Sequence, residues 1–386
     1  MTQPDRPRQL DRLPHGFREQ ERFAAGYSPL YAQLFGVVAG WLEKGEADPV
    51  AAWLRDVSAG RRPVEVTLLL AAALHREVLA GAPEVAALAR FYPTVGGHTP
   101  GAANGAFAAA LREAILARRA ALTPFIQQAT VQTNETARGL VWLLPIAHLG
   151  WPAVHLVELG ASAGLNLVAE RRAYRLVDEA EPSRTLLELG AMGESPFVTA
   201  VRGEWTGATH FLKWVAPQVL SRTGGDLHPF HLNTEEDERT LAAFVWGDQP
   251  ARLARLRQGI AALHAVEATT APVRLFPLRL PDELPDFLVR HAPPADAPVV
   301  IYNTVVTMYL PERGAALREM VGRWAEGHAA PVLWLQWELS PEGEHPPEKD
   351  WLAWTADLWQ DGRHRQRRLG WIHPHGGALE WLRIDI

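Results

Sequence analysis

The chain has 386 residues, 47% of them hydrophobic, enough for one large globular domain or two ordinary ones. It contains no cysteine, which excludes disulfides, zinc-thiolate centres and cysteine nucleophiles, and its net charge of -6 gives no general attraction to a phosphate backbone. The start, MTQPDRPRQLDRLPHGF, lacks the apolar stretch of a secretory signal and no run reaches membrane-spanning length, so the expectation is a cytoplasmic protein with neither membrane nor nucleic acid as partner.

From Pro29 to about Gly150, alanine and leucine recur at helical spacing, as in YAQLFGVVAGWL, EVTLLLAAALHREVLA and GAFAAALREAILARRAAL. Residues 1–150 therefore read as an α-helical region, broken at EKGEADP and RFYPTVGGHTPGAANG by turn-forming residues. At Trp151-Pro152 the pattern changes. AVHLVEL reads as a strand, GASAG as a tight turn and NLVAERRAY as a returning helix. PFVTAVRGEW, PVRLFPLRL, PVVIYNTVV and PVLWLQWEL are further strand-like runs, with helical patterns between several of them. Residues 151–386 are thus predicted to form an α/β domain whose sheet is mostly parallel. Two apolar runs around Pro-His-Gly-Gly predict a C-terminal antiparallel hairpin, and RHRQRR, Arg363 to Arg368, reads as its solvated edge.

The stretch VELGASAGLNL has two readings. Gly160, Ser162 and Gly164 spell G-x-S-x-G, the elbow of a serine hydrolase. That fold places several strands before its nucleophile, whereas everything upstream here reads as helix. In the second reading the turn admits a cofactor, and the following helix offers unpaired N–H groups. The dinucleotide fingerprint G-x-G-x-x-G fails at Ser162 and Leu165. Glu158, Gly160 and Gly164, with Ser162 at the middle position, resemble motif I of class I S-adenosylmethionine methyltransferases. Asp226, in TGGDLHPF, resembles the acid at the end of that fold's second strand, whose carboxylate holds the ribose hydroxyls; an N-cap in a turn explains it equally well. Asp178 is the rival acid, set aside because the helix before it would be very short.

Asn303, a candidate catalytic residue, is expected at the carboxyl end of the fourth strand. Glu338, at the end of the fifth, is a candidate base, with an exposed ion pair as its alternative. Tyr302 and Tyr309 are read as packing residues. VQTNETAR crowds Gln132, Asn134, Glu135 and Arg138 just before the first sheet strand. Either Glu135 and Arg138 pair on a helix that Asn134 caps, or the segment lies over the glycine turn and grips a carboxylate of cofactor or substrate. The pairs His228 with His231 and His373 with His375 lack a clear set of further ligands, so no metal is expected.

ARFYPTVGG, VQTNETAR, VELGASAGLNL, GGDLHPFHL, AFVWGDQPARLARLR and WIHPHGG, in this order, resemble an uncharacterised bacterial family, domain of unknown function 2332. The resemblances imply a Rossmann-like class I methyltransferase fold, an S-adenosylmethionine cofactor and a small-molecule methyl acceptor. The alternatives are a serine hydrolase acting through Ser162, or a ligand- or partner-binding protein without catalysis.

Overall fold

The computed structural model describes residues 12–101, 105–132, 135–191, 196–203, 205, 216–340 and 344–382. The chain divides into two compact units, Met1–Thr133 with Leu232–Ala254, and Asn134–His231 with Arg255–Ile386.

The first unit is helical, with bounds that differ from the 1–150 region read from the sequence. Its helices span Leu13–Ala24, Pro29–Glu43, Pro49–Val57, Pro63–Leu79, Gly105–Gln128 and Glu235–Ala243. Their starts follow from local chemistry: proline, with no N–H to satisfy, opens three of them. Ser28 accepts from Tyr31 N and Asp48 from Val50 N and Ala51 N. Leu34, Phe35, Leu70, Leu74, Leu111 and Ile115 are among the buried side chains of its core. The returning segment is fixed by Asp248, which accepts from Ser28 Oγ at 2.6 Å and Leu30 N at 3.1 Å.

The second unit is mixed α/β, built on one eleven-stranded sheet. Its strands are β1 Ala153–Leu159, β2 Ala173–Asp178, β3 Thr185–Gly190, β4 Phe197–Arg202, β5 Gln218–Asp226 and β6 Val273–Pro277. They continue with β7 Val299–Thr304, β8 Val332–Glu338, β9 Leu352–Gln360, β10 Arg363–Ile372 and β11 Ala378–Trp381. The order is β3-β2-β4-β11-β10-β9-β8-β7-β1-β5-β6. From β8 to β6 every neighbour is parallel, whereas β8, β9, β10 and β11 form an antiparallel meander. Among the described residues no strand precedes β1, and β10 with β11 forms the predicted hairpin. Arg363 to Arg367 are exposed at its edge.

Apolar residues on both faces of the central strands explain their uninterrupted hydrophobic runs. Val157, Leu159, Ile301 and Trp334 pack with Leu284, Phe287, Leu317 and Val321 of the helices Leu284–His291 and Ala315–Gly327. Leu156, Tyr302, Leu335 and Trp337 pack with the helix Leu140–Leu149, which is apolar on nearly every side. That helix touches β3, at one edge of the sheet, together with β7 and β8 near its middle, so the sheet curls around it.

The helix expected over NLVAERRAY is not formed. Leu165–Arg171 is a 3-10 segment broken at Val168 (φ -119°, ψ 27°), and the chain goes straight into β2. Side chains take carbonyls that an α-helix would use: Asn166 O accepts from Trp142 Nε1 at 2.8 Å and Leu167 O from Arg222 Nε at 2.9 Å. The glycine turn therefore does not lead into the N-terminus of an α-helix. Three strands, β2, β3 and β9, were not expected, and β5 was expected only through the resemblance at Asp226.

Candidate functional site

The parallel order β6-β5-β1-β7-β8 reverses direction at β1, since β5 lies on one side of it and β7 on the other. In open α/β sheets the crevice beyond the carboxyl ends at such a reversal is where ligands bind, because the two following connections diverge to opposite faces.

The chain leaves β1 through Gly160 (φ 82°), Ser162 (φ 49°) and Gly164 (φ 72°). Backbone in this left-handed region suits glycine and is uncommon for serine. The turn is stitched to the exit of β5: Gly160 N donates to Gly225 O at 2.8 Å, and Phe230 N donates to Ser162 O at 3.1 Å. Asp226 completes the seam, its Oδ2 accepting from Ser162 N at 2.8 Å and its Oδ1 from His228 N at 2.9 Å. Each oxygen so engaged keeps accepting capacity for a further donor. A Cβ on Gly160 would lie 2.4 Å from Val306 Cγ2, so this glycine is required by close packing against the loop after β7 as well as by its backbone angle. The expectation that it opens a ligand path is corrected on that point: the Val306 side chain occupies the space.

Asp178 lies on β2, which is not a neighbour of β1. Its carboxylate accepts from Ala180 N and Glu181 N and pairs with Arg184, which makes it the organiser of a turn.

On the other side of β1, Asn303 is fully buried, its Nδ2 donating to Glu338 Oε1 at 2.6 Å and its Oδ1 accepting from Trp334 Nε1 at 2.8 Å. Glu338 also accepts from Val306 N, Thr307 N and Thr307 Oγ1, so four donors converge on one buried carboxylate. The exposed ion pair considered for Glu338 is thereby replaced by a buried hydrogen-bond network. Burial raises the pKa of Glu338, while the hydrogen bonds from Val306, Thr307 and Asn303 act against that rise. The network pins a strained backbone: Val305 is β-branched yet has φ 58°, and its N–H donates to Trp337 O at 2.8 Å. Beyond it, Met308 and Tyr309 stand exposed, as does Leu227 after β5.

Glu158 points to the inner face beneath the turn, where Tyr302 Oη donates to its Oε2 at 3.2 Å. Burial pushes its pKa from the ordinary 4.5 up to about 8; hydrogen bonds from Tyr302 and Asn166 offset this only in part. It is therefore a neutral acid at pH 7. Tyr302, read from sequence as packing, is also the hydrogen-bond partner of this acid.

The VQTNETAR residues separate. Asn134 lies outside the described residues, and Gln132 belongs to the helical unit, where it is half-buried. Glu135 and Arg138 are buried at a 3-10 turn, Thr136–Gly139, rather than on the expected helix. Glu135 stands just outside that turn as its N-cap, and its Oε2 lies 3.1 Å from His375 Nδ1. Arg138 Nε donates to Pro374 O at 3.2 Å. The turn packs against the Leu165–Arg171 segment, so it forms buried support beside the glycine turn. This meeting of VQTNETAR with WIHPHGG is a contact the sequence reading missed, and residues 240 positions apart carry no local signal of it. His228 and His231 are exposed, and among the described residues no group of three or more metal-ligating side chains is formed. No helix among the described residues is long and apolar enough to cross a membrane.

Comparison with curated proteins and with solved structures gives no match. A family model does match, over residues 15–381 and so over nearly the whole of both units. The chain belongs to the family described as an uncharacterized protein conserved in bacteria, domain of unknown function 2332.

Proposed function

We propose that the α/β unit binds S-adenosylmethionine at the carboxyl edge between β1 and β5 and transfers its methyl group to a small molecule. The observation that carries this reading is the position of Asp226: a carboxylate at the end of the strand beside β1, bonded to the turn that leaves β1, with acceptor capacity left for a vicinal diol. When bound, the cofactor supplies a methyl group already made electrophilic by its sulfonium. The protein's part is to hold and align. Asp226 receives the ribose hydroxyls, and Leu227, Met308 and Tyr309 offer apolar surface on the loops leaving β5 and β7. Asn303 and Glu338 act as positioning residues, because their polar atoms hold the Val305–Thr307 loop against the turn. Approach is from the Asp226 side, since Val306 covers Gly160.

A second reading keeps one specific support. Ser162 sits at a positive φ in a G-x-S-x-G turn, as a nucleophilic serine would. Against it stands the stretch before β1, whose described residues form helices and no strand.

Calorimetry and thermal scans with S-adenosylmethionine and its demethylated product test the proposal. Ligand at about a hundredfold over its Kd should stabilise the protein by about 2.7 kcal/mol. Asp226→Ala should remove most of that, whereas Asp178→Ala and Ser162→Ala should keep it. Absence of binding by folded protein at millimolar ligand defeats the cofactor reading. Ester hydrolysis that disappears in Ser162→Ala would put the hydrolase in its place.

A further inference from the structure

Around the Thr136–Gly139 turn the inner face holds a cation that the protein itself leaves unanswered. Arg172, the residue before β2, is 7% exposed, and its Nε and Nη2 are buried without a hydrogen-bond acceptor. Those two nitrogens form one edge of the guanidinium. Their N–H bonds run side by side, at the spacing that meets both oxygens of a carboxylate. The group is held from behind by Tyr174, with Cζ 5.4 Å from the ring centroid, and Tyr174 Oη is fixed by Thr136 O at 3.0 Å.

Glycines let its neighbours come close: a Cβ on Gly139 would stand 2.4 Å from Ala169 Cβ, 2.6 Å from Tyr174 Oη and 2.9 Å from Nη2, and one on Gly259 would stand 3.1 Å from Thr136 Cγ2 and 3.8 Å from Nη1. Of the acids nearby, Glu170 pairs with Arg222 through Oε1 and leaves its buried Oε2 without a donor, Glu135 meets His375 and Glu158 accepts from Tyr302. A buried guanidinium edge without an acceptor is costly, and a planar anion is the group that relieves the cost in full.

We infer that Arg172 is the receptor for the carboxylate of a small anionic ligand, bound on the inner face beside Gly139. This moves the carboxylate-gripping role expected of Arg138 to a neighbour, since Arg138 spends its Nε on Pro374 O. The carboxylate site is independent of the S-adenosylmethionine reading.

The test uses the full chain with acetate, succinate and 2-oxoglutarate as probes at about 10 mM and constant ionic strength, and inorganic phosphate as the non-planar control. At least one carboxylate should raise Tm by about 3 °C or more while phosphate does not. Arg172→Met should abolish the shift, and Arg172→Lys, which keeps the charge without the fork, should weaken binding about tenfold or more. Without any probe, Arg172→Met should melt at or above the wild-type temperature, because an unanswered buried cation has been removed. A Tm fall of several degrees in that variant would instead make Arg172 a structural ion-pair partner and overturn the inference. So would the absence of any carboxylate effect, or an effect unchanged in Arg172→Met. Retained binding of the demethylated cofactor by Arg172→Met keeps this result separate from the Asp226 site.

Discussion

Glu158→Gln should make the protein more stable at neutral pH and flatten its pH dependence. In the folded chain Glu158 is held protonated, with a pKa of about 8 against the ordinary 4.5, because burial at 2% exposure penalises its charged form. Each tenfold change in proton affinity is worth about 1.4 kcal/mol, so the full displacement corresponds to about 5 kcal/mol. The sign follows from proton uptake: above about 4.5 the unfolded chain releases a proton that the folded chain keeps. The contribution is whole below pH 4.5, declines as pH rises towards 8, and is lost beyond it. Glutamine keeps the shape and an oxygen for Tyr302 Oη, and it has no charge to suppress. In urea titrations at pH 5, 6, 7 and 8, the stability of Glu158→Gln over wild type should therefore grow by slightly more than about 1 kcal/mol per pH unit and reach about 4 kcal/mol by pH 8. Unchanged m-values would assign the effect to stability rather than to a different unfolded state. A difference independent of pH, or one that widens towards acid, would show that Glu158 is ionised in the folded protein and refute the reasoning.

Glu338→Ala should cost about 3–4 kcal/mol in the same titrations, because it orphans donors on Asn303, Val306 and Thr307 that each cost about 1–3 kcal/mol when buried unpaired. Glu338→Gln should cost roughly half as much, and equal stability of all three proteins would remove the network from the account. Gly160→Ala should destabilise by about 2 kcal/mol, through both its φ of 82° and the Val306 contact; adding Val306→Ala should recover only the second part, which a double-mutant cycle measures directly. In the helical unit, Asp248→Ala should cost about 1–3 kcal/mol by releasing Ser28 Oγ and Leu30 N, and a loss below about 0.5 kcal/mol would mean that water replaces it.

Of the strands around the site, β1, β7 and β8 were legible as short apolar runs, whereas β5, QVLSRTGGD, was expected only through the resemblance that Asp226 carries. Their carboxyl ends therefore named Glu158, Asp226, Asn303 and Glu338 as neighbours of one edge. Their chemistry was less legible. Nothing local says that Asn303 and Glu338 spend their polar atoms on each other, since they lie 35 positions apart. Leu165–Arg171 has helical spacing, and what overrides it is the capture of its carbonyls by Trp142 and Arg222, two long-range donors. β2 and β3 mix arginine and glutamate with leucine, and that pattern fits a solvated helix as well as a half-covered strand. The doublet Arg171-Arg172 conceals the largest difference of all, one side chain exposed and the next buried.

The sheet also sets a timetable for synthesis. β4 has β2 on one side and β11 on the other, in parallel register from Ala200 with Ala378 to Arg202 with Glu380. While the ribosome makes the residues between 202 and 378, one edge of β4 is complete and has no strand to pair with. At about 5–20 residues per second that interval lasts about 10–35 s, long compared with local folding steps. During it the nascent chain exposes a sheet edge of the kind that recruits other chains, so the sequence carries its greatest aggregation hazard before its last hairpin is made. Ribosome-bound chains ending before residue 378 should accordingly be captured by edge-binding chaperones, and chains extended past 382 should be released.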